Sequence, residues 1–323
     1  MISFVIPLRD EVDSLATLHA ELASITDAAS LGSVEFVFVD DGSRDGSWDV
    51  VERLAAADPR VIGVRLRRNF GKAAALTAGF RLARGETVFT LDGDLQDDPA
   101  EIPRFLAKLD EGTGLDLVSG WKRKRHDPWH KVGPSRVFNR IVGSVTGLRL
   151  HDHNCGYKAY RREVLGEVAI YGELHRYVPA LAHAQGFRVG EIEVHHRARQ
   201  HGASKYGASR FLKGLIDLGT VHFLTRYGRR PNHPLGAAGL GLLGLGAAGW
   251  GLVALLTLTG RIHGTGLILA AVAASSSVVA GIQCLVMGLV AELVNARRID
   301  LDATYSIAAT VGVDPIRRPP TLT

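Results

Sequence analysis

The sequence predicts an α/β head built on a parallel, doubly wound sheet and followed by a two-helix membrane hairpin. Three observations carry this. Short β-branched and aromatic runs alternate with helical stretches through the first two thirds of the chain, the pattern of βαβ units. One of these strands ends in an acidic turn, Leu91–Pro99, LDGDLQDDP, at the kind of position where open α/β sheets bind ligands. Near the other end, Leu235–Thr259 and Gly264–Ala291 are uncharged runs, each longer than the roughly 20 residues a helix needs to cross a bilayer.

Taken in order, Ile2–Ile6 is an apolar strand ended by Pro7, and a helix is expected from about Val12 to Ala28. Val34–Val39 is a second strand, leading into DDGSRDGS, then a helix over Trp48–Ala57 and a strand over Val61–Leu66. RRNFGK precedes a helix of small residues, Ala73–Ala83, and Glu86–Thr90 is the central strand. Beyond the acidic turn, Pro99, Ala100 and Glu101 read as a helix start, with proline and an acid in the first turn. A strand near Leu115–Ser119 opens into the basic run WKRKRHDPWHK. A helix around Arg136–Val145, the segment DHNCGYKAYRREVL, a helix near His175–Gln185, a strand over Arg188–His195 and the segment RARQHGASKYG complete the head.

Asp92 and Asp94 alternate along extended backbone, and Gln96 follows them toward the same edge. Oxygen ligands converging in this way suit Mg²⁺ or Mn²⁺, which take one or two carboxylates plus substrate phosphates. The competing reading of a bare DxD is a solvated acidic turn; the preceding apolar strand and the motifs elsewhere in the chain favour the metal.

The 323 residues carry a formal net charge of +5, which suggests anionic partners without naming them. Two cysteines, Cys155 and Cys284, provide no disulfide framework and point to a reducing compartment. The opening MISFVIPLRDE lacks the charged start and long apolar core of a cleaved signal peptide. Only Gly260–His263 separates the two apolar runs, so they form a hairpin. Arg226, Arg229 and Arg230 precede it and Arg297 and Arg298 follow, against Arg261 alone in the connection. Positive charge marks the cytoplasmic side, so head and tail are expected there. Within Ser209–Tyr227, Phe211, Leu212, Leu215, Ile216, Phe223 and Leu224 fall mostly on one face; beside a span, such a helix suits the membrane interface.

Two apparent motifs are set aside. Asp41–Glu52 matches an EF-hand loop, but a strand rather than a helix enters it and no second loop appears. Gly239, Gly241 and Gly244 spell GxGxxG inside an apolar span with no strand before it, where close helix packing explains small residues better than a dinucleotide. The basic run lacks aromatic interleaving beyond Trp121 and Trp129, which disfavours nucleic acid.

In order, FVIPLRDE, FVFVDDGSRDGS, RRNFGKAAALTAGF, LDGDLQDDP, HDHNCGYKAYRR and RARQHGASKYG resemble the family 2 glycosyltransferases of GT-A (Rossmann-like) fold. Within them the chain resembles the polyisoprenyl-phosphate type, such as dolichol-phosphate mannose synthase and the bactoprenol glucosyltransferases. GIQCLVMGLVAELVNARR is similar to the second span of two-span members.

The resemblance implies roles residue by residue. Pro7, Arg9 and Glu11 fall in the first-strand motif that contacts the nucleotide, with Arg9 and Asp10 where Tyr and Asn are usual. Asp40 and Asp41 match acids that bind base and ribose; Lys72, Asp92, Arg199 and Lys205 complete the expected nucleotide-sugar set. Asp92, Asp94 and Gln96 match the metal and diphosphate site, with Asp94 and Asp152 as the catalytic carboxylates. Arg199, Ser204 and Lys205 match an RxxGxSK loop that folds over phosphates, and Lys122, Lys131, Ser135 and Ser204 are the acceptor-phosphate candidates.

The implied arrangement is a GT-A catalytic domain over residues 1–207, a juxtamembrane amphipathic helix over 208–230, a transmembrane hairpin over 231–294 and a cytoplasmic tail over 295–323. The implied activity is inverting transfer of a sugar, from UDP-glucose first and GDP-mannose next, to polyprenyl phosphate at the cell membrane. Mg²⁺ or Mn²⁺ is the implied cofactor, the bilayer is a partner, and homo-oligomerisation is left open. The alternatives are a processive polysaccharide synthase, disfavoured by too few spans and no QxxRW motif, and a non-catalytic membrane-tethered nucleotide-binding regulator.

Overall fold

The computed structural model describes residues 1–112, 114–123, 139–168, 170–197, 217–223, 232–296 and 307–312. The chain divides into two compact units, residues 1–221 with 301–323, and residues 222–300.

The first unit is built on an eight-stranded sheet of order β7-β5-β6-β4-β1-β2-β3-β8. Its centre is β1 (Ile2–Leu8), flanked in parallel by β2 (Val34–Asp40) and β4 (Thr87–Thr90), with β3 (Val61–Leu66) parallel to β2. β1 extends through Pro7, which the sequence reading placed at its end; all seven residues are buried. Phe4, Ile6 and Leu8 enter one core cluster and Val5 the other, so the strand is apolar but for Ser3, which donates to Glu35, because both of its faces are covered. Phe4, Phe36 and Phe89 share a register across the three central strands and stack at 5.6 and 5.3 Å.

Helices α1 (Leu15–Ala28), α2 (Ser47–Ala57) and α4 (Ile102–Asp110) supply residues to the first cluster, while α3 (Lys72–Leu82) packs into the second. Gly79 lets α3 approach β1 closely: a Cβ there would lie 2.4 Å from Val5 Cγ1. Further along are α5 (residues 139–146), α6 (Arg162–Glu167) and α7 (Val178–Ala184).

The sheet is mixed rather than wholly parallel. β6 (Lys158–Arg161) lies antiparallel between β4 and β5 (Leu117–Trp121), and β5 pairs in parallel with β7 (Val189–Glu193). The segment DHNCGYKAYRREVL thus contains a central strand that its mixed polarity conceals. At the far edge, β8 (Ile307–Val311) runs antiparallel to β3, so the stretch assigned to the tail contains a strand of the head's sheet.

Of the expected amphipathic helix, residues 217–223 (α8) are described; Leu218 and Val221 pack with Val142, Leu174 and Tyr177 in a core cluster. These are not the residues of the apolar face read from the sequence.

In the second unit, α9 (Asn232–Leu258) and α10 (Gly264–Ala296) form the hairpin, both apolar and long enough to cross a bilayer. A Cβ on Gly239 would lie 2.8 Å from the Gly281 carbonyl, and one on Gly281 equally close to that of Gly239, so the helices touch backbone to backbone there. Gly241 and Gly244 meet nothing within 4 Å, leaving Gly239 as the packing residue of that GxGxxG string. Leu240, Leu252 and Leu269 stay more than half exposed, as side chains facing lipid do.

Candidate active site

The parallel strands β1, β2 and β4 deliver their carboxyl ends to one edge. Leu8 pairs with Asp40, and β4 follows β1 in register from Ile2 with Thr87 to Val5 with Thr90. The turns after them meet at a cleft of about 330 Å³ whose lining includes Pro7, Arg9, Glu11, Asp41, Lys72, Asp92 and Asp94. Seven of the expected site residues are thereby brought together.

Asp40 and Asp41 have different tasks. Asp41 accepts from the Phe70 and Gly71 amides at 2.7 and 3.0 Å, tying the β2 turn to the start of α3 while still lining the cleft. Asp40 is fully buried, accepts from the Ser43 amide at 2.8 Å and lies 3.5 Å from Arg65 Nε. It holds the turn from beneath rather than lining the cleft. Burial raises both carboxyls, against the lowering effect of these hydrogen bonds. Gly42 has φ of 72°, and a Cβ would meet the Arg68 carbonyl carbon at 2.6 Å, so only glycine makes this turn.

The LDGDLQDDP turn is braced by its own side chains. Asp94 accepts from the Gln96 amide at 3.2 Å, Asp97 accepts from the Asp92 amide at 3.2 Å, and Asp98 caps the Pro99–Glu101 3₁₀ turn through the Ala100 amide. Leu95 is in the left-handed region at φ 62°. Lys72, the first residue of α3, donates to Asp92. Burial would raise the Asp92 carboxyl, but the Lys72 ammonium, supported by Lys122 and Lys158, brings it down to about 2.

These residues fit a divalent cation. Two carboxylates face the cleft, and a cationic side chain already rests on Asp92, showing that the position favours positive charge. Gly156 lies against the same group: a Cβ would sit 2.9 Å from Asp92 Oδ2, and its lack leaves that oxygen room. Among the described residues no three His, Cys, Asp or Glu side chains form a ligand cluster. An ion held here therefore takes its other ligands from substrate phosphates and water, as Mg²⁺ commonly does. Gln96, the third expected ligand, is not among the residues lining the cleft; its Nε2 lies 3.4 Å from His196 Nε2.

Asp152 is 2% exposed and accepts from the Asn154 amide at 3.2 Å; it does not line the cleft. Beside it lies the buried Lys158, whose ammonium donates to the Cys155 carbonyl and interacts electrostatically with Asp92 and Asp152. Burial pushes Lys158 down to about 8 and the Cys155 thiol up to about 12, so the thiol is no nucleophile at neutral pH. Lys122 forms an ion pair with Asp97 at 2.9 Å beneath the acidic turn. Burial opposes its charge, but Asp97 and its neighbours more than offset this and hold it protonated.

Lys131, Ser135, Arg199, Ser204 and Lys205 lie outside the described residues. The segment just before the last three is anchored to the acidic turn: His196 bridges to Asp97, the Arg197 amide donates to the Gln96 carbonyl at 2.9 Å, and its guanidinium holds Asp98 at 2.7 Å.

Sequence reasoning missed Glu173, His175 and Arg176, which also line the cleft from a 3₁₀ turn packed against α3. The signal present was an acid, an imidazole and a guanidinium directly before the Pro179 helix start.

The family model for "Glycosyl transferase family 2" matches residues 3–169, which span β1 to the end of α6 and contain most of this cleft. The chain belongs to this family. Dodecaprenyl-phosphate galacturonate synthase of Rhizobium johnstonii is 39% identical to this family 2 glycosyltransferase over 245 residues, 75% of this chain and 72% of the relative. Undecaprenyl-phosphate 4-deoxy-4-formamido-L-arabinose transferase of Shewanella sediminis is 37% identical over 247 residues, 76% of this chain and 72% of the relative. In fold the glycosyltransferase resembles mannosyl-3-phosphoglycerate synthase from Rubrobacter xylanophilus, with a TM-score of 0.55 at 18% identity over 71% of this chain and 75% of the other. It also resembles glucosyl-3-phosphoglycerate synthase from Mycobacterium tuberculosis in complex with Mn²⁺, UDP-glucose and phosphoglyceric acid, with a TM-score of 0.53 at 17% identity over 70% and 79% of the two chains. The head is a GT-A domain.

Proposed function

We propose that this glycosyltransferase moves one sugar from a nucleotide-sugar donor to a polyprenyl phosphate in the membrane, with inversion at the anomeric carbon. The observation that carries the reading is the placement of Asp92, Asp94 and Lys72 in one cleft with Arg9 and Asp41, in a chain that also has two helices of bilayer length. The polyprenyl-phosphate names of relatives 37–39% identical support the acceptor. They name galacturonate and a formamido-arabinose, so the glucose and mannose expected from the sequence give way to a uronate or modified pentose as first choice.

Pro7, Arg9, Glu11 and Asp41 contact the nucleotide, while Lys72 and Asp92 face its diphosphate. A divalent ion bound by Asp92 and Asp94 supplies positive charge that offsets the charge gained by the departing diphosphate. Lys72 adds a second cation there. The acceptor phosphate oxygen attacks the anomeric carbon opposite the leaving group, with Lys131, Ser135, Arg199, Ser204 and Lys205 contacting phosphates. Lys122, already paired with Asp97, supports the acidic turn and adds to the field. Asp152, beneath the surface, positions the reacting groups. Arginines flanking the spans put the head on the cytoplasmic side.

Membranes containing the protein, supplied with polyprenyl phosphate, Mn²⁺ and a panel of labelled sugar nucleotides, test this. Label extracted into the organic phase, dependent on both lipid and metal, is the expected result. Label released only as free sugar, or retained on polymer, overturns the acceptor assignment.

A further inference from the structure

Arg176 lines the cleft but has no part in the transfer proposed for it. Its side chain is 9% exposed, and its Nη2 lies 2.5 Å from Glu173 Oε2. Its Nε, fully buried, has no hydrogen-bond partner among the described residues. A guanidinium presents five donors, and burying one unmatched is costly unless something else satisfies it. The residue lines the same cleft as Lys72, Asp92 and Asp94.

Its neighbourhood indicates which half of the donor it meets. Arg176 enters from the 3₁₀ turn that packs on α3, the helix that begins with Lys72. The adjacent His175 interacts with both Lys72 and Asp92, whereas Arg9 and Glu11 come from the β1 turn. Arg176 is thus on the side of the leaving diphosphate and the sugar. His175 is held neutral, chiefly by burial and secondarily by the Lys72 charge, so it offers a hydrogen-bonding ring rather than a second cation. A planar guanidinium braced by one acid, with further donors unspent, matches a two-oxygen anion.

We propose that Arg176, braced by Glu173, is a donor-binding residue whose guanidinium holds an anionic oxygen on the sugar–diphosphate half of the donor. Two groups offer this chemistry, the carboxylate of a uronate sugar and the diphosphate itself. The proposal rests on the reading of the cleft as the donor site, and its test separates the two.

The full-length protein in lipid nanodiscs with Mn²⁺ is titrated calorimetrically with UDP, GDP, UDP-galactose and UDP-galacturonate, as wild type, Arg176→Gln and Arg176→Lys. Melting temperatures check that each variant is folded. Arg176→Gln is expected to weaken binding by roughly 10–100-fold, the loss of a charged hydrogen bond. Arg176→Lys keeps the charge without the fork and recovers only part of it. A loss confined to UDP-galacturonate assigns Arg176 to the sugar carboxylate; an equal loss for the nucleotides alone assigns it to the diphosphate. Unchanged affinities in a folded Arg176→Gln variant overturn the proposal while leaving the donor cleft standing. A wild type that binds neither UDP nor GDP overturns the donor cleft itself and the proposal with it.

Discussion

At the scale of single residues, Asp94 and Asp152, the two carboxylates proposed to serve the reaction, sit in different surroundings. Asp94 faces the cleft, while Asp152 is enclosed near Lys158. A hydroxyl acceptor requires a general base; a phosphate monoester, with a second pKa of about 6, is already mostly dianionic at pH 7. General-base catalysis, worth roughly 10²–10⁴-fold elsewhere, therefore has little to contribute. We expect Asp94→Asn to lower kcat more than about a hundredfold at any pH, because an ion then loses a carboxylate ligand. Asp152→Asn should cost about tenfold at pH 8 and more at pH 6, where the acceptor begins to hold a proton. Rates of both variants from pH 6 to 8 decide it, and a larger loss for Asp152→Asn at pH 8 contradicts this division of roles. His153, next to Asp152, is 1% exposed, and burial pushes it down to about 4 from an ordinary 6.5. Between those values the unfolded chain binds the proton and the folded one does not, so stability falls as pH drops from about 6.5 to about 4. The loss across that window is about 3 kcal/mol. The fall in melting temperature over that window should be smaller in His153→Gln. Its slope should be reduced rather than abolished, because His175 is lowered in the same direction.

At the scale of elements, glycines mark where one piece of backbone must approach another, and two of them separate function from stability. Gly156, just before β6, abuts the tip of the Asp92 side chain, with carboxylate atoms 2.9–3.1 Å from where a Cβ would stand. A carboxylate can rotate away, so Gly156→Ala should leave the melting temperature nearly unchanged. It should also raise the Mn²⁺ concentration needed for half-maximal transfer and lower kcat by about tenfold or more, a displaced ligand being costly. Gly79 faces core instead: a Cβ would lie 2.4 Å from Val5 Cγ1 and 3.1 Å from Val39 Cγ2. Gly79→Ala should destabilise the head by about 1–3 kcal/mol through overpacking while KM for donor in the surviving fraction stays constant. Thermal melts paired with metal titrations distinguish the two substitutions, and matching behaviour would contradict the assignment.

At the scale of the whole molecule, the chain leaves the head, forms the apolar hairpin and returns to the head's sheet through β8. Val311 sits over Gly63 of β3, which a Cβ would bring to 2.5 Å, and Gly63 is also close to Val51 of α2. Without β8, β3 becomes an exposed edge with unpaired backbone groups. A chain stopped at Asp300 is therefore expected to keep its hairpin but to melt several degrees lower and to be cut faster by protease within the head. An unchanged melting temperature would show that the pairing adds nothing to the fold.

The central strands were legible because burial on both faces demands mostly apolar, β-branched and aromatic runs, and β1 to β4 have them around a few polar residues such as Ser3 and Glu35. The acidic turn was legible because closely spaced carboxylates directly after an apolar strand stand out locally, and LDGD puts Asp92 and Asp94 two residues apart in one turn. The two bilayer-length helices were legible by composition alone, since lipid tolerates few charges. Local pattern did not disclose β6 and β8, whose polar or isolated sequences become strands only when β4, β5 and β3 offer hydrogen-bond partners. Nor did it separate Asp40 from Asp41, adjacent acids of which one is buried under the turn and the other turned to the cleft. Arg176, more than 80 residues from Asp92, joined the site only through the packing of its turn on α3. Periodicity and composition act over a few residues and so are written in the sequence; which distant side chains share a cleft is a property of topology, which only the folded chain decides.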